Sequence, residues 1–592
     1  MPTYVQADRP LVLTTPLGAD KLVAVALAAQ EGISRLFHYQ VDCRAERGTT
    51  IDFSKILGQP ASIKLEVPGK KERFFSGICI RASQGETDRH FDNYRLDIVP
   101  QFWLLSKRAQ SRIFQHVNVP DILKKVLEGL KVTFQLQGTF EKRDYCVQYR
   151  ETDFNFASRL MEEEGIYYFF KHTAGGSEMV VANTPQSHPD LTPTSALRFM
   201  TLTQTAAIEQ EAIYRLSKTQ EVTSGKFTLF DHSFELPHKH LEADKPITDS
   251  VQVGKVSHSL KVGDNGKLEI YDFPGEYAQR FDGVNAGGGD QPAELQKIFT
   301  DNKRTVNLRM EAAATGAVVL NGSSNLRHLT PGFKVTITAV DDVCKPIGAD
   351  GAYVLTTVQH TARLGADYRS GPDGGGFSYD NSFTLMPAAV PFRPQRTTPK
   401  PVVAGTQTAV VVGPKGEEIF TDRHGRVKVQ FHWDREGKND ADSSCWVRVT
   451  QPWAGRRWGA FFIPRIGQEI IVDFLEGDPD QPIGVGCVYN PDQPHPYLGD
   501  GPDTGNRSNH KQDPKLCGVK SNTTPGGVGF NEWRFDDTKG KEQVFIHGER
   551  DLDVRVKNDR RERVIGNAHL IVGFEKDGKK GGSQFEEVFE NK

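Results

Sequence analysis

Long hydrophobic runs are missing from this 592-residue chain. Nowhere do about 18 uncharged apolar residues follow one another, so no membrane-spanning helix is expected. The amino-terminal MPTYVQADRP has neither a basic leader nor an apolar stretch, so no N-terminal secretory signal is expected either. An excess of charge of one sign is also lacking: 73 Lys and Arg face 76 Asp and Glu, a net charge of −3. No global field steers such a chain toward nucleic acid or an anionic membrane. Cysteine is sparse. Cys43, Cys79, Cys146, Cys344, Cys445, Cys487 and Cys517 are far apart, odd in number and never spaced CxxC. That argues against a disulfide framework or zinc knuckle and fits reduced thiols. The enzyme signatures HExxH, GxSxG and GxxxxGKS/T are absent as well.

What is present points to a turn-rich, mainly β protein of roughly three to five domains. Its 56 Gly and 33 Pro are above ordinary usage. Phe37, Tyr39 and Val41 alternate with polar residues, as do Ile63, Leu65 and Val67 and then Tyr94, Leu96 and Ile98. Period-two alternation marks strands with one dry face. Two short helices are expected next. VPDILKKVLEGL has Pro120 at its start, and TDFNFASRLMEEEG has Thr152 as N-cap and Gly165 as stop. A longer helix is expected between Pro292 and Gly316, with Leu295, Ile298, Phe299, Val306 and Met310 on one face. Gly-rich loops are expected at Gly287–Gly289 and Gly371–Gly376. The Pro-rich stretch Met386–Val403 reads as a stiff linker. After it, four or five short strands in about 80 residues suggest a small closed barrel.

Several residue groups invite a catalytic or binding reading, and each has a plainer one. Gly287–Gly289 precede a helix, yet no Lys-Ser/Thr follows, so a loop is expected rather than a phosphate cradle. Glu162, Glu163 and Glu164 point about 100° apart on a helix and read as a solvated face. Asp434, Asp440 and Asp442 miss the calcium-loop spacing and read as a hairpin loop. Trp433, Trp446, Trp453 and Trp458 with Arg456 and Arg457 could stack on single-stranded nucleic acid. Packing of a small barrel or an interface is the favoured reading, given the balanced charge.

The stretch ERDLDVRVKNDRRERVIGNAHLIVG, 549–573, carries more information. Leu552, Val554, Val556, Val564, Leu570 and Val572 form dry-face positions with little chain after them to cover that face. Burial of each is worth roughly 1.5–3 kcal/mol. The dense mixed charges from Arg555 to Arg563 oppose aggregation. Identical faces meeting around a symmetry axis would cover them, giving a narrow intertwined β-prism.

Long motifs in the chain resemble the VgrG family, the spike proteins of type VI secretion, themselves similar to a fusion of contractile phage tail hub and spike. YCVQYRETDFNFASRLMEEEGIYYFF, at 145–170, resembles the family's hub. DRHGRVKVQFHWDREG and FIPRIGQEIIVDFLEGDPDQPIGVGCVYN resemble its OB-fold. TTPGGVGFNEWRFDDTKGKEQVFIHGERDLDVRVKND resembles the start of its needle. The resemblance implies a multidomain, mainly β chain: a hub with two barrel-like subdomains and a few helices over 1–385, the linker 386–403, an OB-fold over 404–490, a loop over 491–514 and a stem opening a trimeric β-helix needle over 515–592. It also implies a homotrimer with Leu552, Val554, Val556, Val564, Leu570 and Val572 in the needle core. Implied partners are the hexameric Hcp tube ring, a PAAR-repeat tip protein, and effector cargo with a chaperone or adaptor, with no nucleic acid, cofactor, metal or catalytic residue. Assembly would take place in the bacterial cytoplasm, followed by signal-free secretion into a target cell or the medium. Two readings stay open beside it: a phage-like tail hub–spike and an OB-fold nucleic-acid binder. Between Asn490 and Lys515 there is no room for the lysozyme domain of some phage spikes, since a domain needs about 50 residues. The short stretch after Gly573 is, on the same ground, not expected to hold an effector domain. Because GFEKDGKKGGSQ interrupts the alternation, a short needle and one continuing past 592 are both open.

Overall fold

A computed structural model describes residues 4–69, 71–200, 211–339, 351–365, 376–498, 514–573 and 581–588. Residues 371–375 of the second Gly-rich loop, 499–513 of the 491–514 loop, 574–580 and Cys344 lie outside the described residues. The chain forms two compact units, 1–493 and 494–592.

Most hub strands join one sheet of twelve. Its first half runs Leu11–Thr14, Pro60–Val67, Lys71–Thr87, Phe91–Val99, His38–Glu46 and Val23–Gly32. The alternating residues noted above lie on its dry face: Tyr39, Val41, Ile63, Leu65, Leu96 and Ile98 are buried in one core. Helices α1 (Val119–Val126) and α2 (Asp153–Glu163) add Ile122, Leu123, Phe156 and Leu160 to that core. Both helices begin at side-chain caps; Thr152 was expected, whereas Asn118, ahead of Pro120 at the start of α1, was not singled out. Asn118 accepts from the Asp121 N–H at 2.9 Å, and the Thr152 hydroxyl accepts from the Asn155 N–H at 3.1 Å. Gly165, at φ +65°, turns the chain out of α2.

The second half of the sheet closes on itself. Ala352–Arg363 pairs with Lys334–Ala339, which leads through Ala196–Phe199, Ile213–Gln220 and Val318–Ser324 to Ser378–Pro387. That last strand pairs back with Ala352–Arg363, completing a six-stranded barrel. Leu320, Leu355, Phe383 and Leu385 fill its core. The single long helix expected after Pro292 is divided at Lys297 into α3 (Pro292–Gln296) and α4 (Ile298–Ala314). Its apolar face still packs as read, with Leu295, Ile298, Val306 and Met310 buried.

The small barrel follows. Strands Lys428–Phe431, Gln407–Val412, Glu469–Phe474, Pro482–Val488 and Arg448–Val449 lie in that order. The Val427–Val447 bridge, with N–H···O distances of 2.9 and 2.7 Å, joins its two ends. Ala409, Val411, Val429, Phe431, Ile470 and Val472 form its core. The four tryptophans do not share one surface. Trp446 is buried beneath Lys428, Trp433 stacks on Phe431, and Trp453 and Trp458 stand exposed on a separate hairpin.

One expectation fails in the hub. Glu163 and Glu164 are only 8% and 5% exposed, not solvated. Arg143 bridges them at 2.6 and 2.5 Å, Arg159 adds a contact to Glu163, and Arg304 of α4 meets Glu164 at 2.6 Å. Burial works against the Glu164 charge, but Arg304 and Arg143 hold its carboxyl down to about 2. Helical angles alone could not show this, because the arginines arrive from other elements. Glu162 turns instead to the linker, accepting from the backbone N–H groups of Thr397 and Thr398 at 2.9 Å each.

Candidate trimerisation stem

The C-terminal unit starts with three antiparallel strands, Leu516–Lys520, Glu532–Asp536 and Gln543–His547. Their register places Val519, Trp533 and Ile546 in one row and Cys517, Phe535 and Val544 in the next. With a period of two, these six side chains share one face. That face is apolar and bare: Val519, Trp533, Val544 and Ile546 are 52–64% exposed. The opposite face holds charge. Arg534 pairs with Glu532 at 3.3 Å, both residues buried, and its guanidinium lies 4.5 Å from the centre of the Phe545 ring. A lone soluble chain normally has the reverse arrangement. An exposed apolar sheet face of this kind is the mark of an interface.

The positions expected to form the needle core lie further along. Leu552, Val554, Val556, Val564, Leu570 and Val572 are all exposed, from 44% at Val572 to 73% at Leu570. Residues 551–573 form no strand within one chain, so the strand expectation for this stretch is not met there. Within one chain the structure does not bring the six together, since none lies in a paired strand. The charges between them pair only locally, Arg560 with Glu562 at 3.0 Å and Arg561 with Asp559 at 2.8 Å. Such exposed pairs contribute at most about 1 kcal/mol each and supply no core. The sheet face upstream was not singled out from the sequence, although the alternation in EWRFD and QVFIH was there to find it.

Within the first unit, hub and small barrel are bolted together by polar contacts. The Trp446 indole N–H donates to the Asn285 carbonyl at 2.8 Å, and Lys400 reaches Asp478 and Asp480 at 2.7 and 2.8 Å. Asp480 in turn accepts from the Val147 N–H at 2.6 Å. Among the described residues, no group of three or more His, Cys, Asp or Glu is arranged to hold a metal ion, and no helix is long and apolar enough to cross a membrane.

Comparison with known proteins follows the same division. Residues 30–366 match the phage tail baseplate hub family, 408–489 the type VI secretion system/phage-baseplate injector OB domain, and 517–592 the bacteriophage T4 gp5 C-terminal trimerisation domain. The type VI secretion system spike protein VgrG1c of Pseudomonas aeruginosa is 38% identical over 561 residues, covering 94% of this chain and 70% of that protein. The chain belongs to the VgrG family. VgrG1a of the same organism is 37% identical over 568 residues, covering 94% and 79% of the two chains. An E. coli component of the type VI secretion system, described as structurally similar to T4 tail proteins gp27 and gp5, shares the fold at TM-score 0.52. It is 19% identical and covers 80% of this chain and 99% of its own. This VgrG chain is therefore a spike protein of a type VI secretion system, built as hub, OB domain and trimerisation stem. The stem makes it a homotrimer.

Proposed function

We propose that the chain is a mechanical, non-enzymatic puncturing spike whose hub docks on a hexameric Hcp tube ring and whose needle carries a PAAR-repeat tip. In this reading it ferries effectors, with an adaptor where one is needed, after assembly in the bacterial cytoplasm. The domains divide functionally as hub (1–385), linker (386–403), OB-fold (404–490), loop (491–514) and stem (515–592).

The observation that carries the proposal is the inverted stem, with an apolar sheet face and six downstream apolar positions all bare in one chain. Three copies supply one another's missing core. A spike built so has no subunit that can unfold away from its neighbours, which suits transmission of force. Leu552, Val554, Val556, Val564, Leu570 and Val572 are the proposed axial residues. The test replaces Val554 and Val556 together with Asp. Light scattering after size exclusion should show monomers, and secretion of the tube protein by a strain carrying only this variant should stop. An intact, secretion-competent trimer would overturn the axial assignment.

A further inference from the structure

Glu31 lies where the two halves of the twelve-stranded sheet meet, in the strand Val23–Gly32 that pairs with Ala352–Arg363. Its buried carboxylate accepts from Arg73 at 2.8 and 3.0 Å and from the Tyr39 hydroxyl at 2.6 Å. Two buried imidazoles face it as well, His172 Nε2 at 3.2 Å and His360 Nε2 at 3.0 Å. An ionised carboxylate only accepts, so the hydrogen of a neutral His360 sits on Nε2 and leaves Nδ1 bare. The Tyr379 hydroxyl, 2.7 Å from Nδ1, is then the donor of that bond. A hydroxyl has one hydrogen, so the Leu326 carbonyl, 3.3 Å from the same oxygen, receives nothing from it. The Asn381 amide holds the arrangement in place, donating to this hydroxyl at 3.0 Å and to this carbonyl at 2.7 Å.

The same partners serve a charged imidazole. With hydrogens on both nitrogens, His360 keeps Glu31 and donates from Nδ1 to the Tyr379 oxygen. The Tyr379 hydrogen is freed to turn to the Leu326 carbonyl. Tyr379 then accepts twice and donates once, so no buried polar group loses its bond. Charged and titratable groups surround His360: Glu31 and Arg73 of the first sheet half, Tyr379 of Ser378–Pro387, and Tyr39 and His172 across Glu31, with Glu211 near Tyr379. Burial opposes protonation, Glu31 favours it and the Arg73 charge opposes it.

We propose that His360 is a proton switch at this joint: a proton taken up at Nδ1 reverses the Tyr379 hydroxyl, which then bonds the Leu326 carbonyl. Acid thereby adds a second bond from the strand Ser378–Pro387 to Leu326, beside that of Asn381, while Glu31 keeps Arg73. The two sheet halves stay joined through the change.

The full chain is titrated by exchange of the histidine C2 hydrogen for deuterium, read peptide by peptide in a mass spectrometer, so that each histidine reports its own midpoint. His360 should titrate in the folded chain, below 6.5 but above the value of about 4 to which burial takes His188 and His328, neither of which hydrogen-bonds a carboxylate. Tyr379→Phe removes the hydroxyl from both states. Bonds to charged groups are the stronger, so the variant's His360 should bind protons about three- to tenfold more weakly. His172, whose Nδ1 faces Ser76 instead, should keep its midpoint. If Tyr379→Phe does not fold, the order of the wild-type midpoints decides. Protonation of His360 only on unfolding, a midpoint no higher than those of His188 and His328, no change in Tyr379→Phe, or an equal change at His172 would each overturn the assignment.

Discussion

Arg426 of the small barrel grips Asp282 of the hub with two parallel hydrogen bonds, Nη1–Oδ2 at 2.7 Å and Nη2–Oδ1 at 2.8 Å. A third bond, from Nε to Asp422 at 2.7 Å, holds the guanidinium in its own loop. All three residues are buried. Removing one partner of a buried pair leaves the other charge stranded, at a cost of about 3–5 kcal/mol. Asp282→Ala should therefore lower the urea midpoint of the hub–barrel unit strongly. Arg426→Met with Asp282→Leu would strand the Asp422 carboxylate in turn, so the triple variant that adds Asp422→Asn should recover most of that loss, because no lone charge remains. A triple variant as unstable as the single one would show that the ion pairs themselves, rather than a stranded charge, matter.

The bare sheet face of the stem gives a second expectation. Ile546→Lys puts a charge beside Trp533, its cross-strand neighbour. The trimer should dissociate in light scattering while the circular dichroism of the hub stays unchanged. A trimer of wild-type stability would mean that this face is not covered by the partner subunits.

Glycine is required at one close contact in the hub. Gly332 sits at φ +87°, and a Cβ there would run into the Phe169 ring. Gly332→Ala should cost about 1–3 kcal/mol in overpacking, with left-handed strain of about 1 kcal/mol added. Gly129→Ala is the control. Its φ is +86° but the space around it is open, so only the strain should appear in denaturant titration.

Buried histidines, His172, His188, His328 and His360 among them, contribute to the response to acid. Burial lowers the pKa of His172 and His360, which both hydrogen-bond Glu31, and takes His188 and His328 down to about 4. Their folded-state values lie below the unfolded 6.5, so the unfolded chain binds protons first. Their contribution to stability is full above pH 6.5 and declines as pH falls toward 4. Glu31 acts lower still. Burial opposes its charge, but Arg73 and the two histidines hold it well below the usual carboxylate range, so its contribution is lost only below pH 4.5. On going from pH 8 to pH 5, the urea midpoint of a His188→Gln/His328→Gln variant should rise relative to that of the wild type, since the acid-sensitive imidazoles are gone.

Asp144 has the opposite sign. Burial, followed by the Asp282 charge, pushes its carboxyl up to about 7. The folded state keeps a proton that the unfolded chain releases above pH 3.8, so stability falls as pH rises from there to about 7. Asp144→Asn should raise the urea midpoint relative to wild type at pH 8 and leave it nearly unchanged at pH 4. A gain of equal size at both pH values would exclude titration of Asp144 as the cause.

The strands and helix ends were legible because their causes are local. Tyr39, Leu65 and Leu96 alternate with polar neighbours, and Thr152 and Gly165 bound α2 by capping chemistry that acts within four residues. The division of the third helical pattern at Lys297 was not legible, since its apolar periodicity runs on across the break. The burial of Glu163 and Glu164 was hidden for another reason: Arg143 and Arg304 approach from 20 and 140 positions away. The linker, read from its prolines as a stiff spacer, is also docked. Arg393 donates to the carbonyls of Gly165 and Asn183 at 2.9 and 2.6 Å.

By itself the sequence determined the alternation that makes strands, the capping residue that starts α2 and the apolar positions of the stem. These follow from side-chain period and backbone preference, which need no distant partner. Tertiary structure alone decided that the hub's second half closes into six strands, that Arg426 joins hub to barrel, and that the stem sheet turns its apolar face outward. Each depends on which remote groups meet, and pairing across hundreds of residues leaves no local trace in composition or periodicity.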